Sequence, residues 1–199
     1  MPTARAVESG IGTISTAIAP DSRFNVSAMI RPAAVGDADA IARIYNHYVL
    51  DTVVTCEERA VPVAEMGERI AEVLAAQMPW LVAESEGHVA GYAYASQWRT
   101  RSAYRYSAEV SVYLDPAAVG AGHGTRLYAA LFPLLRERGF HAAMAGIALP
   151  APASVALHEK FGMRQVAHFR EVGFKFGRWI DVGYWQVLLQ SGPQASPPG

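Results

Sequence analysis

Cysteine is almost absent from this sequence, since Cys56 is the single one in 199 residues. One cysteine excludes an internal disulfide and any metal site built from several cysteines, and we expect no bound metal. Neither sign of charge dominates: 17 Lys and Arg residues stand against 18 Asp and Glu residues, for a net charge of −1. That balance predicts no general attraction to nucleic acid or to an anionic membrane. No apolar run approaches the roughly 18 residues of a membrane span, so we expect a cytoplasmic protein.

The central part of the chain has the composition of one folded domain. Hydrophobic residues make up 51% of the sequence, which is enough for a sizeable core. Residues 1–28 are rich in Ala, Ser and Thr and too poor in apolar residues for a signal peptide, so we predict a disordered extension or an overlong start. Residues 191–199 contain three prolines and two glycines and predict a disordered tail. The domain is assigned to residues 29–190.

Residues 107–127 hold the most informative local pattern. Apolar and polar residues alternate from Ser107 to Leu114, which is the period of a β-strand, and Asp115-Pro116 ends it. Glycines follow at positions 120, 122 and 124, and leucines recur at helical spacing from Leu127 onward. Glycines at a helix start let backbone N–H groups approach an anion, so a phosphate or pyrophosphate site is one interpretation. A tight turn without a ligand is the other.

Two common phosphate-binding loops do not fit this segment. The dinucleotide pattern G-x-G-x-x-G would start at Gly120 but meets Thr125 at its last position. The triphosphate loop requires a lysine after its last glycine, and the segment has none. The pattern that is present is x-x-G-x-G, directly after a strand.

The order of predicted elements favours a mixed sheet. Periodicity and turn residues give the order β-α-α-β-β-β-α-β-α-β-β, in which two hairpins interrupt the alternation of strands and helices. We therefore predict an α/β (α+β) domain with a mixed sheet covered by helices rather than a purely parallel one. The last two strands are expected at Met163–Glu171 and Asp181–Leu189, joined by a glycine- and aromatic-rich segment, Gly173–Trp179.

The x-x-G-x-G pattern resembles the acetyl-CoA pyrophosphate loop of the GNAT acetyltransferase superfamily. Within residues 29–190, several segments resemble more narrowly the phosphinothricin N-acetyltransferase family. They are Asn46-His47-Tyr48, Trp98-Arg99, Tyr104-Arg105, Glu109 with Val112-Tyr113, Leu157-His158-Glu159-Lys160-Phe161-Gly162, and Val172-Gly173-Phe174-Lys175-Phe176-Gly177-Arg178-Trp179 with Asp181-Val182. The resemblance implies a GNAT-like mixed central β-sheet of about seven strands flanked by about four helices. It also implies acetyl-CoA as co-substrate, a homodimer, and acetylation of the α-amine of a small acidic amino acid or analogue of the phosphinothricin or methionine sulfoximine type.

The sequence departs from the family pattern at three positions. Val119 opens the loop where the superfamily usually has Gln or Arg, which removes a side chain but no backbone donor. Ala151 replaces an asparagine that often contacts the pantetheine arm. Cys56 stands where the family usually has an aromatic residue, which would reshape the substrate pocket. Taken by itself, Cys56 is expected to be a small buried apolar residue rather than a nucleophile.

Amide formation from a thioester requires a neutral amine, so a base must remove a proton directly or through water. Glu109 is the candidate, on the strand before the loop, and the alternative is a surface carboxylate. A backbone N–H within Val110–Leu114 is the candidate donor to the thioester oxyanion. His158 could protonate the leaving thiolate near neutral pH, or it could be an ordinary packed or surface histidine.

The remaining site residues fall into two groups. The residues expected to bind acetyl-CoA are Val112, Tyr113, Leu114, Val119, Gly120, Ala121, Gly122, His123, Gly124, Thr125 and Ser154. The residues expected to bind the acidic amino acid are Trp98, Arg99, Tyr104, Arg105, Lys175 and Arg178. Arginine pairs with carboxylate or phosphinate in bidentate fashion, and the alternative for the cations is a solvated face. The aromatic residues could form walls of the site or be core or dimer contacts. Two alternatives stay open at this point: a module that binds acyl-CoA or an amino acid without turnover, and an acetyltransferase for another small amine.

Overall fold

A computed structural model describes residues 29–189 of the chain. The predicted extension (1–28) and tail (191–199) lie outside the described residues, as does residue 190. The strands and helices are β1 (Met29–Pro32), α1 (Ala38–Asp51), α2 (Val63–Ala75), β2 (Trp80–Ser85), β3 (His88–Gln97), β4 (Ser107–Leu114), α3 (His123–Glu137), β5 (Ala142–Leu149), α4 (Pro152–Lys160), β6 (Arg164–Lys175) and β7 (Arg178–Leu188). This is the predicted order of elements.

The seven strands form one sheet in the order β1-β2-β3-β4-β5-β7-β6. Every neighbouring pair is antiparallel except β4 and β5, which run parallel because α3 crosses between them. The predicted mixed sheet of seven strands with four helices is therefore confirmed. None of the helices between residues 29 and 189 is long and apolar enough to cross a membrane.

The helices cover the two faces of the sheet unequally. On one face, α3 packs through Leu127, Leu131 and Leu135 against strands rich in alanine, whose small side chains let the helix approach closely. On the other face, α1 and α2 bury a second cluster that includes Ile41 and Trp80. Because α1 and α2 pack over β2, β3 and β4, they leave the same face of β5, β7 and β6 available for a site.

The parallel strands β4 and β5 separate part-way along their length. Their pairing covers only Ser107–Glu109 against Ala142–Met144, although β4 continues to residue 114 and β5 to residue 149. The carbonyl of Ser107 and the N–H of Asp115 form hydrogen bonds on the β3 side. Because backbone groups alternate in direction along a strand, the N–H and C=O groups of the even-numbered residues of β4 point toward β5. Beyond the last paired residues, the N–H groups of Val112 and Leu114 therefore face a gap between the two strands.

The end of the chain differs from the predicted connection at Gly173–Trp179. Strands β6 and β7 pair through this segment, with Gly173 opposite Ile180 and Phe174 opposite Trp179. Only Phe176-Gly177 forms the turn, and both residues have positive φ, 51° and 71°. That is the geometry of a tight two-residue hairpin. Aromatic residues favour strands, and the prediction gave too much weight to the glycines.

Candidate active site

Glu109 occupies the position where β4 and β5 separate. It is paired with Ser96 of β3 and with Met144 of β5, and it is the last residue of β4 in the β4–β5 ladder. Its side chain lies on the face opposite α3, because the alternate residues Ala108 and Val110 belong to the core beneath that helix. The predicted base thus lies at the mouth of the gap, on the sheet face that α1 and α2 leave open.

A cavity of about 680 Å³ lies beside this position. It is formed by β5, β6, β7, the start of β4, and the connections from α1 to α2 and from β3 to β4. Its lining residues are Cys56, Trp98, Arg99, Tyr104, Ser107, Met144, Val166, Ala167, Phe169, Val172, Gly173, Val182, Tyr184 and Gln186. The size suits a small-molecule site. Pairing of Glu109 with Met144, and of Gly146 with Tyr184, places the predicted base on the same sheet face as this cavity.

The environment of Glu109 suits a carboxylate that accepts a proton. Partial burial raises the pKa of Glu109 above its ordinary value, while the nearby positive charge of Arg99 lowers it, and burial is the larger effect. The charge of Glu109 in turn raises the pKa of Tyr184, after burial of that hydroxyl. A carboxylate with a raised pKa is a better base than an exposed one with the ordinary value.

Three of the predicted substrate-binding residues line the cavity together. Arg99 lies against the Trp98 ring, with its guanidinium carbon 4.9 Å from the ring centroid, and the Trp98 ring meets Tyr184 edge-on at 5.3 Å. Tyr104 lies on the same wall. These contacts hold one cation at the cavity, within electrostatic range of Glu109.

The structure places the other three predicted substrate cations elsewhere. Arg105 donates to the carbonyl of Ser102 at 3.0 Å and stacks on Tyr106 at 4.5 Å, outside the cavity lining. Lys175 is only 2% exposed, and its ammonium donates to the carbonyl of Thr55 at 2.8 Å. Arg178 starts β7 beside the hairpin turn and is exposed. The prediction of Lys175 as a contact from a loop followed from the misplaced connection, because β6 turns this side chain inward.

Cys56 contradicts the expectation of a buried apolar residue. Its side chain is exposed, lines the cavity, and lies 3.8 Å from the place that a Cβ on Gly173 would occupy. The small thiol, in the connection from α1 to α2, therefore lies against Gly173 of β6. The interpretation that Cys56 shapes the pocket agrees with this placement.

Helix α4 forms the far wall of the gap. A small cavity of about 60 Å³ lies between β4, β5 and this helix, and its lining includes the predicted cofactor residues Val112, Tyr113 and Ser154 together with His158. The third predicted residue of β4, Leu114, accepts a hydrogen bond from the hydroxyl of Tyr48 at 2.6 Å through its carbonyl. An extended chain that entered this gap would meet the N–H groups of β4 on one side and α4 on the other.

His158 is less suited to donate a proton than its type suggests. It is 4% exposed, its Nδ1 lies 2.7 Å from the carbonyl oxygen of Ser154, and its Nε2 lies 2.8 Å from the hydroxyl of Tyr128. Burial lowers the pKa of His158, and the bond to Ser154 opposes this effect. A neutral ring with both nitrogens engaged favours the alternative of a packed histidine.

The glycine loop has the backbone geometry of an anion-binding helix start. Gly120 and Gly122 have φ of +89° and +81°, and no atom lies within 4 Å of the position that a Cβ would take at either residue. Gly122 is the N-cap of α3, so the free N–H groups of the first turn point out of the helix. Val119 is 58% exposed and Ala121 is exposed. The loop therefore offers backbone donors with open space around them.

The rest of the loop joins α3 to α4. A Cβ on Gly124 would lie 2.9 Å from the Leu157 side chain, so the glycine permits close approach of the two helices. Lys160 donates to the hydroxyl of Thr125 at 3.4 Å, which brings an ammonium group next to the loop. His123 is buried, and burial lowers its pKa.

Sequence reasoning missed several cavity residues. Val182, Tyr184 and Gln186 alternate on one face of β7, and the period of two could have identified them once that strand was placed. Lys160 lies beside the loop only because α4 packs on α3, which local sequence does not show. Among residues 29–189, no three or more His, Cys, Asp or Glu side chains are grouped as a metal site would require.

Comparison with known proteins identifies the family. The sequence profile of the acetyltransferase (GNAT) domain matches residues 30–183. Phosphinothricin N-acetyltransferase of Streptomyces viridochromogenes is 40% identical over 157 residues, which are 79% of this chain and 85% of that protein. The L-methionine sulfoximine/L-methionine sulfone acetyltransferase of Salmonella typhimurium is 40% identical over 163 residues, 80% of this chain and 94% of that protein.

A solved structure shows the same relationship. The crystal structure of a GNAT superfamily phosphinothricin acetyltransferase from Sinorhizobium meliloti, in complex with acetyl-CoA, has a TM-score of 0.81 and 39% identity. The match covers 86% of this chain and 93% of that one. The resemblance predicted from the loop and the Leu157–Gly162 segment is confirmed, and the chain belongs to the GNAT acetyltransferases, as an N-acetyltransferase of the family that contains the phosphinothricin enzymes.

Proposed function

We propose that this enzyme transfers the acetyl group of acetyl-CoA directly to the α-amine of a small amino acid or analogue, of the phosphinothricin or methionine sulfoximine type, with Glu109 as general base. The observation that carries the proposal is the position of Glu109, where the gap between β4 and β5 meets a cavity of about 680 Å³. Acetyl-CoA would approach through the gap and the amino acid through the cavity.

The cofactor contacts follow from the backbone. The N–H groups of the α3 start and of the loop at Gly120–Gly122 would hold the pyrophosphate, and Lys160 adds a positive charge. The pantetheine arm would lie between β4 and α4. The N–H of Val112, the first that faces the gap beyond the β4–β5 ladder, would donate to the thioester oxygen.

The acetyl transfer needs a base that deprotonates the α-ammonium group and a nucleophilic attack of the resulting amine on the thioester. Glu109 takes a proton from the α-ammonium group, directly or through one water, and the neutral amine attacks the thioester carbonyl. The C–N bond forms, the negative charge moves to the carbonyl oxygen, and collapse of that intermediate breaks the C–S bond. The CoA thiolate leaves with the electron pair of the C–S bond. The new amide nitrogen loses its extra proton, which protonates the thiolate. Cys56 has no covalent role in this scheme.

The assembly is part of the proposal. Phe174, Phe176 and Trp179 of the terminal hairpin are 54%, 58% and 61% exposed, and this apolar surface continues into the cavity wall at Val172. Contiguous exposed aromatic surface is typical of an interface, and a symmetric homodimer would bury it. Location in the cytoplasm stays a prediction from the sequence.

The test is turnover with identified products. The purified enzyme is mixed with acetyl-CoA and either phosphinothricin or methionine sulfoximine, thiol release is followed spectrophotometrically, and mass spectrometry detects the N-acetyl product. We expect thiol release that depends on the amino acid and matches the product mole for mole. If acetyl-CoA binds but no free thiol is released, whichever amino-acid acceptor is added, the proposal is contradicted.

A further inference from the structure

The connection from α1 to α2, residues 52–62, forms a wall of two spaces at once. Cys56 lines the cavity of about 680 Å³, and Val54 lines the small cavity in the gap between β4 and β5. Thr55, which lies between them in sequence, is 7% exposed. In the proposed function the cavity takes the amino acid and the gap takes acetyl-CoA. The position of Thr55 therefore affects both sides of the reaction.

Thr55 is held from two directions. Its hydroxyl oxygen lies 2.8 Å from the hydroxyl of Tyr45 in α1, which donates to the carboxylate of Glu57 at 2.9 Å. Arg69 of α2 binds the same carboxylate at 2.7 Å. On the other side, the ammonium group of Lys175 in β6 donates to the backbone carbonyl of Thr55 at 2.8 Å. The connection is thus bonded to the helices through side chains and to the sheet through Lys175.

The ammonium group of Lys175 is buried against backbone carbonyls. It also lies 3.5 Å from the carbonyl oxygen of Tyr48. That carbonyl is among the last four of α1, which helical hydrogen bonds leave free and where a positive charge is favoured. A buried ammonium group is costly unless its N–H groups are bonded, so the backbone that bonds it is fixed in place. These contacts lie within one chain and do not require a second subunit.

From these contacts we propose that Lys175 is a positioning residue for acetyl transfer. By holding the carbonyl of Thr55, it keeps Cys56 at the cavity and Val54 at the gap, so that the amine and the thioester meet beside Glu109. The inference rests on the proposed function and gives Lys175 a role without contact to the substrate. A displacement of about 1 Å between reacting groups can lower a rate by about 10²-fold, so a small shift of this wall would suffice.

Replacing the ammonium group tests this role. Lys175→Met keeps the length of the side chain, and the CoA-release assay uses whichever of phosphinothricin and methionine sulfoximine the wild type acetylates. We expect kcat/KM for the acceptor to fall by about tenfold or more. Acetyl-CoA affinity in calorimetry should stay near that of the wild type, because the groups expected to hold the pyrophosphate lie in α3 and its loop. The control Arg138→Met removes an exposed cation at the end of α3 and should change neither quantity.

A second variant removes the contact on the opposite side of Thr55. Tyr45→Phe loses the hydroxyl but keeps the ring that meets Tyr113 edge-on, with 5.2 Å between the centroids. We expect the same loss of acceptor kcat/KM with acetyl-CoA affinity preserved. In both variants, amide hydrogen exchange in residues 52–58 should be faster by about tenfold or more, while exchange in β4 stays unchanged.

The outcomes separate the inference from the function on which it rests. A folded Lys175→Met enzyme with wild-type kcat/KM overturns the inference, because the lysine would then contribute to stability alone. Lost kcat/KM without faster exchange in residues 52–58 also overturns it, because the connection would not be the cause. If Lys175→Met does not fold, the same two measurements on Tyr45→Phe decide. Absence of turnover by the wild type contradicts the proposed function itself, whereas the exchange measurement still tests the contacts of Lys175.

Discussion

The Nε2 atom of His158 lies 2.8 Å from the hydroxyl oxygen of Tyr128, and both side chains are buried. On the other side of the ring, Nδ1 lies 2.7 Å from the Ser154 carbonyl oxygen, which can only accept a hydrogen bond. Nδ1 therefore carries the ring proton, and Nε2 accepts from Tyr128. The pair ties α4 to α3 at the wall of the gap.

Removing the Tyr128 hydroxyl tests this structural role. We expect Tyr128→Phe to lower the free energy of unfolding by about 1–3 kcal/mol, because the buried Nε2 loses its donor. The kcat for acetyl transfer should change little, since the hydroxyl lies behind the imidazole. Denaturant unfolding and the CoA-release assay measure the two effects. A fall in kcat of about tenfold in a fully folded variant would show instead that the pair takes part in proton transfer.

The pH dependence of stability follows from the same ring. Burial lowers the pKa of His158 below its ordinary value, so between the folded and unfolded pKa values the unfolded chain binds more protons. The free energy of unfolding should therefore fall as pH drops below about 6.5. We expect His158→Gln to reduce this slope in urea unfolding from about pH 5 to 8. The exposed His88 offers the control, because His88→Gln should keep the wild-type slope.

The local sequence pattern predicted the fold well because each strand or helix has a recognisable periodicity within a short stretch of sequence. The strand–glycine–helix unit at 107–127 has alternation, three glycines and a leucine stripe, and the structure places β4, the open loop and α3 there. The hairpin at Phe176-Gly177 was missed because glycine is common both in long connections and in tight turns. Only the pairing partners distinguish the two, and these lie in the other strand.

The candidate site was predictable in part, for a related reason. Glu109 lies on β4 and Arg99 in the connection from β3 to β4, ten residues earlier, so the resemblance pointed to both and the alternation gave the strand of Glu109. Lys175 was assigned to the substrate by charge alone, whereas the strand turns it toward the carbonyl of Thr55, far away in sequence. The engagement of both His158 nitrogens likewise depends on Tyr128, 30 residues away. The charge and type of a residue can be read from its own position in the sequence. Its hydrogen-bond partner is often distant in sequence and cannot be read in the same way.

The glycine loop gives a test with a matched control. Gly122 begins α3 with φ of +81°, and Gly139 follows the end of the same helix with φ of +79°, each with open space at the Cβ position. We expect Gly122→Asp to abolish acetyl-CoA binding in calorimetry, because the carboxylate repels the pyrophosphate and crowds its approach. Gly139→Asp carries the same charge and backbone strain and should bind normally. Equal binding by both variants would contradict a pyrophosphate site in this loop.

The proposed dimer predicts a change of assembly from one substitution. Trp179 is 61% exposed on the terminal hairpin. Its ring meets the Phe174 ring edge-on, with 5.0 Å between the ring centroids. We expect the wild type to sediment as a dimer at micromolar concentration and Trp179→Glu to sediment as a monomer, because a buried unpaired carboxylate opposes association. Val63→Glu, at an exposed valine that starts α2, should remain dimeric. A monomeric wild type would contradict the proposal.

The general base gives the sharpest test of the mechanism. Glu109→Gln keeps the size and hydrogen bonding of the side chain but removes the carboxylate that accepts the proton. We expect kcat to fall by about 10²-fold or more, with acetyl-CoA affinity unchanged, because in the proposed mechanism Glu109 contacts the amine rather than the cofactor. Burial raises the pKa of Glu109, so the acidic limb of the wild-type kcat/KM profile should lie above the ordinary glutamate value. Initial-rate assays across pH measure kcat and kcat/KM, and calorimetry with acetyl-CoA measures the affinity.

The exposed thiol of Cys56 supplies the control that distinguishes direct transfer from an acetyl-enzyme route. It lines the cavity proposed to hold the substrate, so a covalent acetyl-cysteine would be geometrically accessible. Direct attack requires no thiol, and Cys56→Ala should retain kcat while Glu109→Gln loses it. If Cys56→Ala is inactive and an acetylated protein accumulates in the wild type without acceptor, the transfer is covalent. If Glu109→Gln keeps near-normal turnover at every pH, another group removes the proton, and the base lies elsewhere in the cavity.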